Sequence, residues 1–131
     1  MLITNSVLKG LFVILALSRS ANSGFAQHET AETAENLMFS QLTALKDGEY
    51  QRFIEHGNRA FKEPMDENLF DTFKLQNRGK LAKGYKLEYL GAIQRIGMRE
   101  HLWRVQISGD KYELLGSLSL SHGKVVGFNL D

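Results

Sequence analysis

Histidines are the first residues to consider for metal binding or acid–base chemistry, because imidazole binds metals and titrates near neutral pH. The sequence holds four of them, His28, His56, His101 and His122. No two are spaced so that they would share one face of a helix or one side of a strand, as two metal ligands must. We therefore expect no metal site and no bound cofactor. The first, third and fourth histidines are expected at the surface, and His56, which precedes Gly57, at a helix end.

Few other groups suggest catalysis. Ser117 and Ser119 lie outside any Gly-x-Ser-x-Gly sequence, so nothing indicates a serine nucleophile. Asp71, His56 and Glu88 remain candidate acids or bases for proton transfer, because the sequence does not fix their orientation.

A short basic cluster lies between the predicted helices and the predicted strands. Its members are Arg78, Lys80, Lys83 and Lys86. One interpretation is a site for an anionic partner. The favoured one is a solvated connection whose cations stabilise the carboxyl end of a helix.

Five aromatic residues form a candidate ligand cavity. Tyrosine and tryptophan combine apolar area with a polar tip that orients a ligand, so a small apolar molecule is the expected ligand class. The alternative is that these side chains only fill the hydrophobic core. The candidate residues are Tyr50, Phe53, Tyr89, Trp103 and Tyr112.

The elements that position these side chains are expected to follow an export signal. A lysine precedes an apolar run over residues 10–17, and small residues follow it, which is typical of a secretory signal peptide. Cleavage is expected after Ser23 or after Ala26. The second site is favoured and divides the chain into a signal peptide, residues 1–26, and a single domain, residues 27–131. The alternative is an uncleaved anchor, but the apolar run is far shorter than the ~20 residues that span a bilayer.

The absence of cysteine narrows the expected compartment. A bacterial lipoprotein carries its lipid on a cysteine directly after the cleavage site, so no stable membrane anchor is expected after cleavage. A disulfide-free exported domain suits the bacterial periplasm, with secretion beyond it as the alternative. Without Lys9 and Arg19 the expected domain has 14 basic and 15 acidic side chains, and this near neutrality argues against nucleic-acid binding.

Apolar periodicity predicts three helices in the first half of the expected domain. The first covers residues 29–46, where apolar residues recur at three- and four-residue steps. The second covers residues 49–61 and is loosened at a glycine near its end. The third has Pro64 in its first turn and ends at Gly79 or Gly84.

Beyond Tyr85 the apolar residues alternate, and turns that contain glycine divide the remainder into about four strands. Helices followed by strands predict an α+β domain, in which three helices pack on a curved, roughly four-stranded antiparallel sheet. The register of the first strand stays open.

The registers of the last two hairpins follow from their loops. A two-residue loop at residues 109–110 and a three-residue loop at residues 121–123 bring apolar residues to one side. The predicted pairs are Trp103–Gly116, Val105–Leu114 and Ile107–Tyr112 in one hairpin, and Gly116–Phe128, Leu118–Val126 and Leu114–Leu130 in the other. Gly116 then lies between Trp103 and Phe128, where a side chain would collide with both rings.

These registers predict one apolar face and one mixed face. The apolar face carries no Asp, Glu or His on the last three strands, and its residues are Trp103, Val105, Ile107, Tyr112, Leu114, Leu118, Val126, Phe128 and Leu130. The mixed face is expected to meet water or a partner, and its residues are Leu102, Arg104, Gln106, Glu113, Leu115, Ser117, Ser119, Val125 and Asn129.

The closing part of the chain carries a family resemblance. Residues 112–130 run YELLGSLSL, a Gly-Lys turn and VVGFNL, and they follow three predicted helices. In this order and closing run, residues 29–131 resemble the nuclear transport factor two-like superfamily, in particular its small exported bacterial domains of unknown function. The resemblance implies a sheet wrapped around the helices as an open cone, whose interior binds a small molecule or is filled with side chains. Some members are cyclases, isomerases or dehydratases and others are binding or dimerisation modules, so the fold does not choose between them.

We expect a non-catalytic exported module, because the apolar face offers no acid or base. Its partner is expected to be another copy of itself, another exported protein or a small apolar ligand. The alternative is a small lyase, isomerase or cyclase-like enzyme with an acid or base in the cone. The resemblance implies the outer face of the sheet as a dimer surface, and the candidate interface residues there are Leu102, Arg104, Leu115, Ser117 and Val125.

Overall fold

The computed structural model describes residues 30–131, so the expected signal peptide and its cleavage sites lie outside the described residues. Within this range the helices come first and the strands follow. No helix among residues 30–131 is long and apolar enough to cross a membrane. The helices are α1 (Ala31–Asp47), α2 (Tyr50–Ile54), α3 (Arg59–Lys62) and α4 (Glu67–Ala82), and the strands are β1 (Tyr85–Arg95), β2 (Met98–Ile107), β3 (Glu113–Ser121) and β4 (Lys124–Leu130).

Helix α1 matches the first predicted helix and is capped at both ends. The Thr30 side chain accepts a hydrogen bond from the Thr33 N–H, which satisfies a free donor of the first turn. Gly48 follows in the left-handed conformation, with φ 75°, and its N–H donates to the Ala44 carbonyl. Between these caps the apolar side of the helix faces inward, and its buried residues are Ala34, Met38, Leu42, Ala44 and Leu45.

The second predicted helix is wrong in its extent, because the chain divides it into α2 and α3. At the break Gly57 forms a parallel bridge with Val125 of β4. The Val125 N–H donates to the His56 carbonyl at 2.8 Å, and the Asn58 N–H donates to the Val125 carbonyl at 3.0 Å. Asn58 then caps α3 through a hydrogen bond from the Phe61 N–H. The His56 carbonyl and the Asn58 N–H are therefore hydrogen-bonded to the sheet, and they cannot form the hydrogen bonds of a continuous helix.

Helix α4 begins later than the third predicted helix. Asp66 is its cap and accepts a hydrogen bond from the Leu69 N–H at 2.9 Å, so Pro64 lies before the helix and its predicted place in the first turn is wrong. The helix continues through Gly79 and ends before Gly84, whose φ of 97° is the left-handed conformation. Gly84 is thus the stop, as one of the two predicted alternatives stated.

The α+β class and the four-stranded antiparallel sheet are confirmed, with strand order β1-β2-β3-β4. One face of the sheet packs on the helices and forms the core. Its largest fully buried side chains come from both layers and include Met38, Phe53, Phe70, Trp103, Val105 and Leu118.

The predicted register of β2 and β3 is confirmed by two pairs, Trp103–Gly116 and Val105–Leu114. The ladder ends one step earlier than predicted, at Gln106–Glu113. Tyr112 lies outside β3 and is 79% exposed, so its predicted place on the apolar face is wrong.

The predicted register of β3 and β4 is wrong, because the turn is one residue shorter than predicted and a bulge follows it in β4. The turn has two residues, His122 and Gly123, whose φ values of 51° and 77° suit a type I′ hairpin. Leu120 pairs with Val125, the register then shifts past Val126, and Ser119 pairs with Gly127. Because the two-residue turn pairs Val125 with the buried Leu120, Val125 faces the core and is fully buried, so its predicted place on the mixed face is wrong.

Strand β1 carries a second bulge, which explains why its alternation is irregular. Tyr89 pairs with Trp103 and Gly91 pairs with Leu102, so Leu90 is the extra residue. Before the bulge Leu87 and Tyr89 pack against the core, and after it Ala92 takes the position opposite His101. The change of phase removes the single alternation from which a register is predicted.

Candidate functional site: the sheet and its two faces

The predicted aromatic set divides into core residues and an outlier. Phe53 and Trp103 are fully buried. The Phe53 ring centroid lies 5.1 Å from that of Phe70 and 5.2 Å from that of Phe128. Tyr50 is partly buried and its hydroxyl donates to the Met65 carbonyl at 2.7 Å. These contacts are those of packed core side chains.

The set is only partly brought together. Tyr89 meets Trp103 edge to face, with ring centroids 5.6 Å apart. Tyr50 and Phe53 both pack on the ring of Phe70. The exposed Tyr112 belongs to neither group.

His101 is the main polar residue that the sequence interpretation placed wrongly. It is only 1% exposed, although a surface position was expected. It lies on the face of the sheet that packs on the helices, which we call the inner face. Its Nδ1 lies 2.9 Å from the Tyr89 hydroxyl, and its ring stacks on Trp103 at a centroid distance of 6.1 Å. The signal was present in the sequence, because His101 continues the alternation of Trp103, Val105 and Ile107 by one step.

Glu35 of α1 completes what we call the interior polar cluster: Glu35, Tyr89, His101 and Trp103. The Trp103 Nε1–H donates to the Glu35 Oε1 at 3.2 Å. A carboxylate, an imidazole and a phenol in one cluster are groups that exchange protons or orient a polar ligand. Among residues 30–131 no group of three or more His, Cys, Asp or Glu could hold a metal ion.

The other candidate acids and bases lie at the surface of the described part of the chain. Asp71 pairs with Lys74 at 3.3 Å, and the exposed His56 lies 4.0 Å from Glu55. Of the basic cluster, Lys83 pairs with Asp110 at 2.8 Å, and all four of its members are exposed. None of these groups is part of the interior polar cluster.

A shallow, open depression of about 570 Å³ lies on the helical layer and is lined by Gln51, Arg52, Ile54, Glu55 and Lys62. Its arginine already pairs with Glu49 at 3.1 Å. An open depression does not enclose a ligand as a binding pocket does, so we assign no function to it.

The second candidate site is the face of the sheet turned away from the helices, which we call the outer face. Arg104 is its electrostatic centre: it lies 2.7 Å from Glu88 and 3.2 Å from Glu113. Gln106 donates to Glu113 at 2.9 Å. Strands β1, β2 and β3 are thus linked at one end of the outer face by a network of charged and polar side chains.

An apolar stripe runs across the outer face beside this network. Leu90, Ile93 and Leu115 are 48%, 44% and 45% exposed, and Leu102 lies partly exposed between them. Four predicted interface residues occur on this face, namely Leu102, Arg104, Leu115 and Ser117. The fifth, Val125, is in the core. Sequence reasoning missed Leu90 and Ile93 because the bulge hid the register of β1.

Neither a scan against protein-family models nor a search of curated proteins finds a match to this chain. Function is therefore inferred from the interior polar cluster and the outer face themselves.

Proposed function

We propose that the domain is a non-catalytic, exported module that binds protein through the outer face of its sheet, with a second copy of the chain as its partner. The observation that carries the proposal is the apolar stripe of Leu90, Ile93, Leu102 and Leu115. Exposed aliphatic side chains scattered singly have no functional meaning, whereas neighbours on one sheet face form a contiguous patch.

The surroundings of the stripe support the same role. An apolar centre bordered by ion pairs, here those of Arg104 with Glu88 and Glu113, is the composition of a protein interface. Between the other face and the helices, Trp103 of β2 and Phe53 of α2 are fully buried, which favours a filled interior over a ligand cavity. Both observations favour a binding module over an enzyme.

Membership of the nuclear transport factor two-like superfamily is part of the proposal. It is supported by the order of helices before a four-stranded antiparallel sheet. A sheet curved around the helices as a cone is supported by the bulges at Leu90 and Val126, because bulges bend a strand and increase its twist.

Export to the periplasm is the remaining part of the proposal and depends on the sequence of residues 1–26. Mass spectrometry of the exported protein should find an amino terminus between Gly24 and Gln27. Retention of residues 11–17 in the exported material would contradict a cleaved signal peptide.

The direct test of the function is sedimentation velocity of the exported protein at micromolar concentrations. A dimer that Leu102→Glu converts into a folded monomer is expected, because the substitution would bury an unpaired carboxylate in the contact. A monomer over the whole concentration range would contradict self-association.

A second candidate function is binding of a small apolar ligand, or a lyase or isomerase reaction on one, in the interior. The observation that favours it is the buried His101 beside Tyr89, since the inner face does hold an acid–base group. Trp103, the only tryptophan, reports on this region. Binding of anilinonaphthalene sulfonate in the interior should quench Trp103 emission both in the unmodified protein and in the Leu115→Glu variant, whose change lies on the outer face. Lack of quenching would argue against an interior site.

A further inference from the structure

The charges on the outer face are distributed unevenly along the strands. One end, which we call the acidic end, has three carboxylates and two cations: Glu88, Glu113, Asp131, Lys86 and Arg104. The opposite end, which we call the basic end, has two cations and one carboxylate, with Arg95 and Glu100 2.8 Å apart in one ion pair: Arg95, Lys124 and Glu100. The net charge of the outer face therefore changes along the strand direction, from negative at the acidic end to positive at the basic end.

The apolar stripe lies between these two ends. Leu102 of β2 is at its centre, opposite Gly91 of β1 and Ser117 of β3. Along β2, Arg104 and Glu100 lie two residues on either side of Leu102 and point to the same side of the sheet. The two residues of opposite charge are thus equidistant from the centre of the stripe.

We propose that the second copy packs face to face about a two-fold axis that crosses the strands at Leu102, so that Arg104 of each copy pairs with Glu100 of the partner subunit. This inference rests on the proposed function. An axis across the strands reverses the strand direction of the partner and places the acidic end over the basic end. An axis along the strands places like ends together, which like-charge repulsion disfavours.

The same arrangement covers the apolar stripe. At the axis Leu102 of one copy meets Leu102 of the other, and the exposed Leu115 lies over Ser119 of the partner subunit. Toward the β4 edge, Lys124 at the basic end comes near Asp131 at the partner's acidic end. Apolar burial supplies the attraction, and the charges set the orientation.

Charge reversal tests this orientation. Arg104→Glu places two carboxylates at each 104–100 contact of its homodimer, and Glu100→Arg places two cations there. Each variant alone should therefore dissociate about tenfold more readily than the unmodified protein. In an equimolar mixture both contacts of the heterodimer regain unlike charges, so sedimentation velocity and native mass spectrometry should show heterodimer at close to the unmodified affinity.

Two controls keep the test decisive. Arg59→Glu changes the same charge on α3, where Arg59 pairs with Glu63 at 2.6 Å, and should leave association unchanged. If Arg104→Glu does not fold, Lys124→Glu mixed with Asp131→Lys tests the same orientation at the other edge.

The outcomes also separate the orientation from the proposed function. Suppose that Leu102→Glu dissociates the dimer but the two charge-reversed variants do not form a heterodimer with restored affinity. That result overturns the orientation and leaves the proposed function standing. An unmodified protein that is monomeric overturns both.

Discussion

Gly116 of β3 lies against Met38 of α1, so closely that a Cβ atom at residue 116 would come within 2.5 Å of the Met38 Cε. The same Cβ would lie 3.2 Å from the Val105 Cγ2. Gly116→Val should therefore overpack the contact between helix and sheet and lower the free energy of unfolding by about 1 to 3 kcal/mol. Urea unfolding followed by Trp103 emission measures the loss.

Two smaller changes provide controls for that prediction. Gly116→Ala should cost less than Gly116→Val, because the Met38 Cε is the end of a flexible side chain and can move. Gly127→Ala, whose Cβ would meet Ser119 at an ordinary 3.4 Å, should be close to neutral. A fully stable Gly116→Val protein would mean that α1 does not pack on this part of the sheet.

The reason for glycine at residue 116 could be predicted from the sequence only in part. The pairing with Trp103 followed from the two-residue loop and is confirmed. The expected neighbour Phe128 is wrong, because Gly116 pairs with Leu130. Contact with Met38 depends on how α1 lies across the sheet, and helix-to-sheet packing is not contained in the alternation of a strand.

The bulges account for most of the remaining errors. The predicted three-residue loop of the last hairpin assumes that β4 alternates without interruption. The extra residue Val126 lets the shorter loop form and still directs both Val125 and Phe128 toward the core. The outer face could be predicted at Leu102 and Leu115, where no bulge intervenes.

Gly57 and Gly79 should respond to alanine in opposite directions. A Cβ at Gly57 would lie 2.5 Å from the Phe61 Cδ2 and 3.2 Å from the Ile54 carbonyl oxygen, so Gly57→Ala should destabilise by about 1 to 3 kcal/mol. A Cβ at Gly79, inside α4, meets nothing within 4 Å. Gly79→Ala should stabilise by about 0.5 to 1 kcal/mol through helix propensity. Thermal unfolding of the two variants side by side checks both signs. A Gly57→Ala variant that is as stable as the unmodified protein, or more stable, would contradict the close packing of Gly57 between α2 and α3.

The hydrogen bond from Trp103 to Glu35 should contribute to stability. Glu35→Leu leaves the buried indole N–H without its carboxylate acceptor, which should cost about 1 to 3 kcal/mol. Glu35→Gln keeps an oxygen acceptor and should cost less. The exposed Glu32 of the same helix gives the control Glu32→Leu. Equal stability of the leucine and glutamine variants at residue 35 would show that the bond is energetically unimportant.

Tyr85 should make the protein less stable at alkaline pH. Burial raises the pKa of Tyr85 above the usual tyrosine value of 10.0, nearby Asp47 adds to the increase, and the hydrogen bond with Thr43 opposes it. Above pH 10 the unfolded chain therefore loses this phenol proton before the folded protein does, and the free energy of unfolding falls as the pH rises.

The comparison with phenylalanine isolates that effect. Urea unfolding between pH 8 and 11 should decline less steeply for Tyr85→Phe than for the unmodified protein, whereas Tyr112→Phe, at a residue that is 79% exposed, should leave the slope unchanged. Identical slopes for all three proteins would contradict burial of the Tyr85 hydroxyl.

The outer face as a contact surface is tested most directly by sedimentation of matched surface variants. Leu115, 45% exposed on the outer face, and Leu75, 83% exposed on α4, are both changed to glutamate. We expect the unmodified protein and Leu75→Glu to sediment as dimers at micromolar concentration and Leu115→Glu as a folded monomer, because only the last adds a solvated charge to the apolar stripe that the contact buries. If Leu115→Glu sediments as the unmodified protein does, the outer face is not the contact surface.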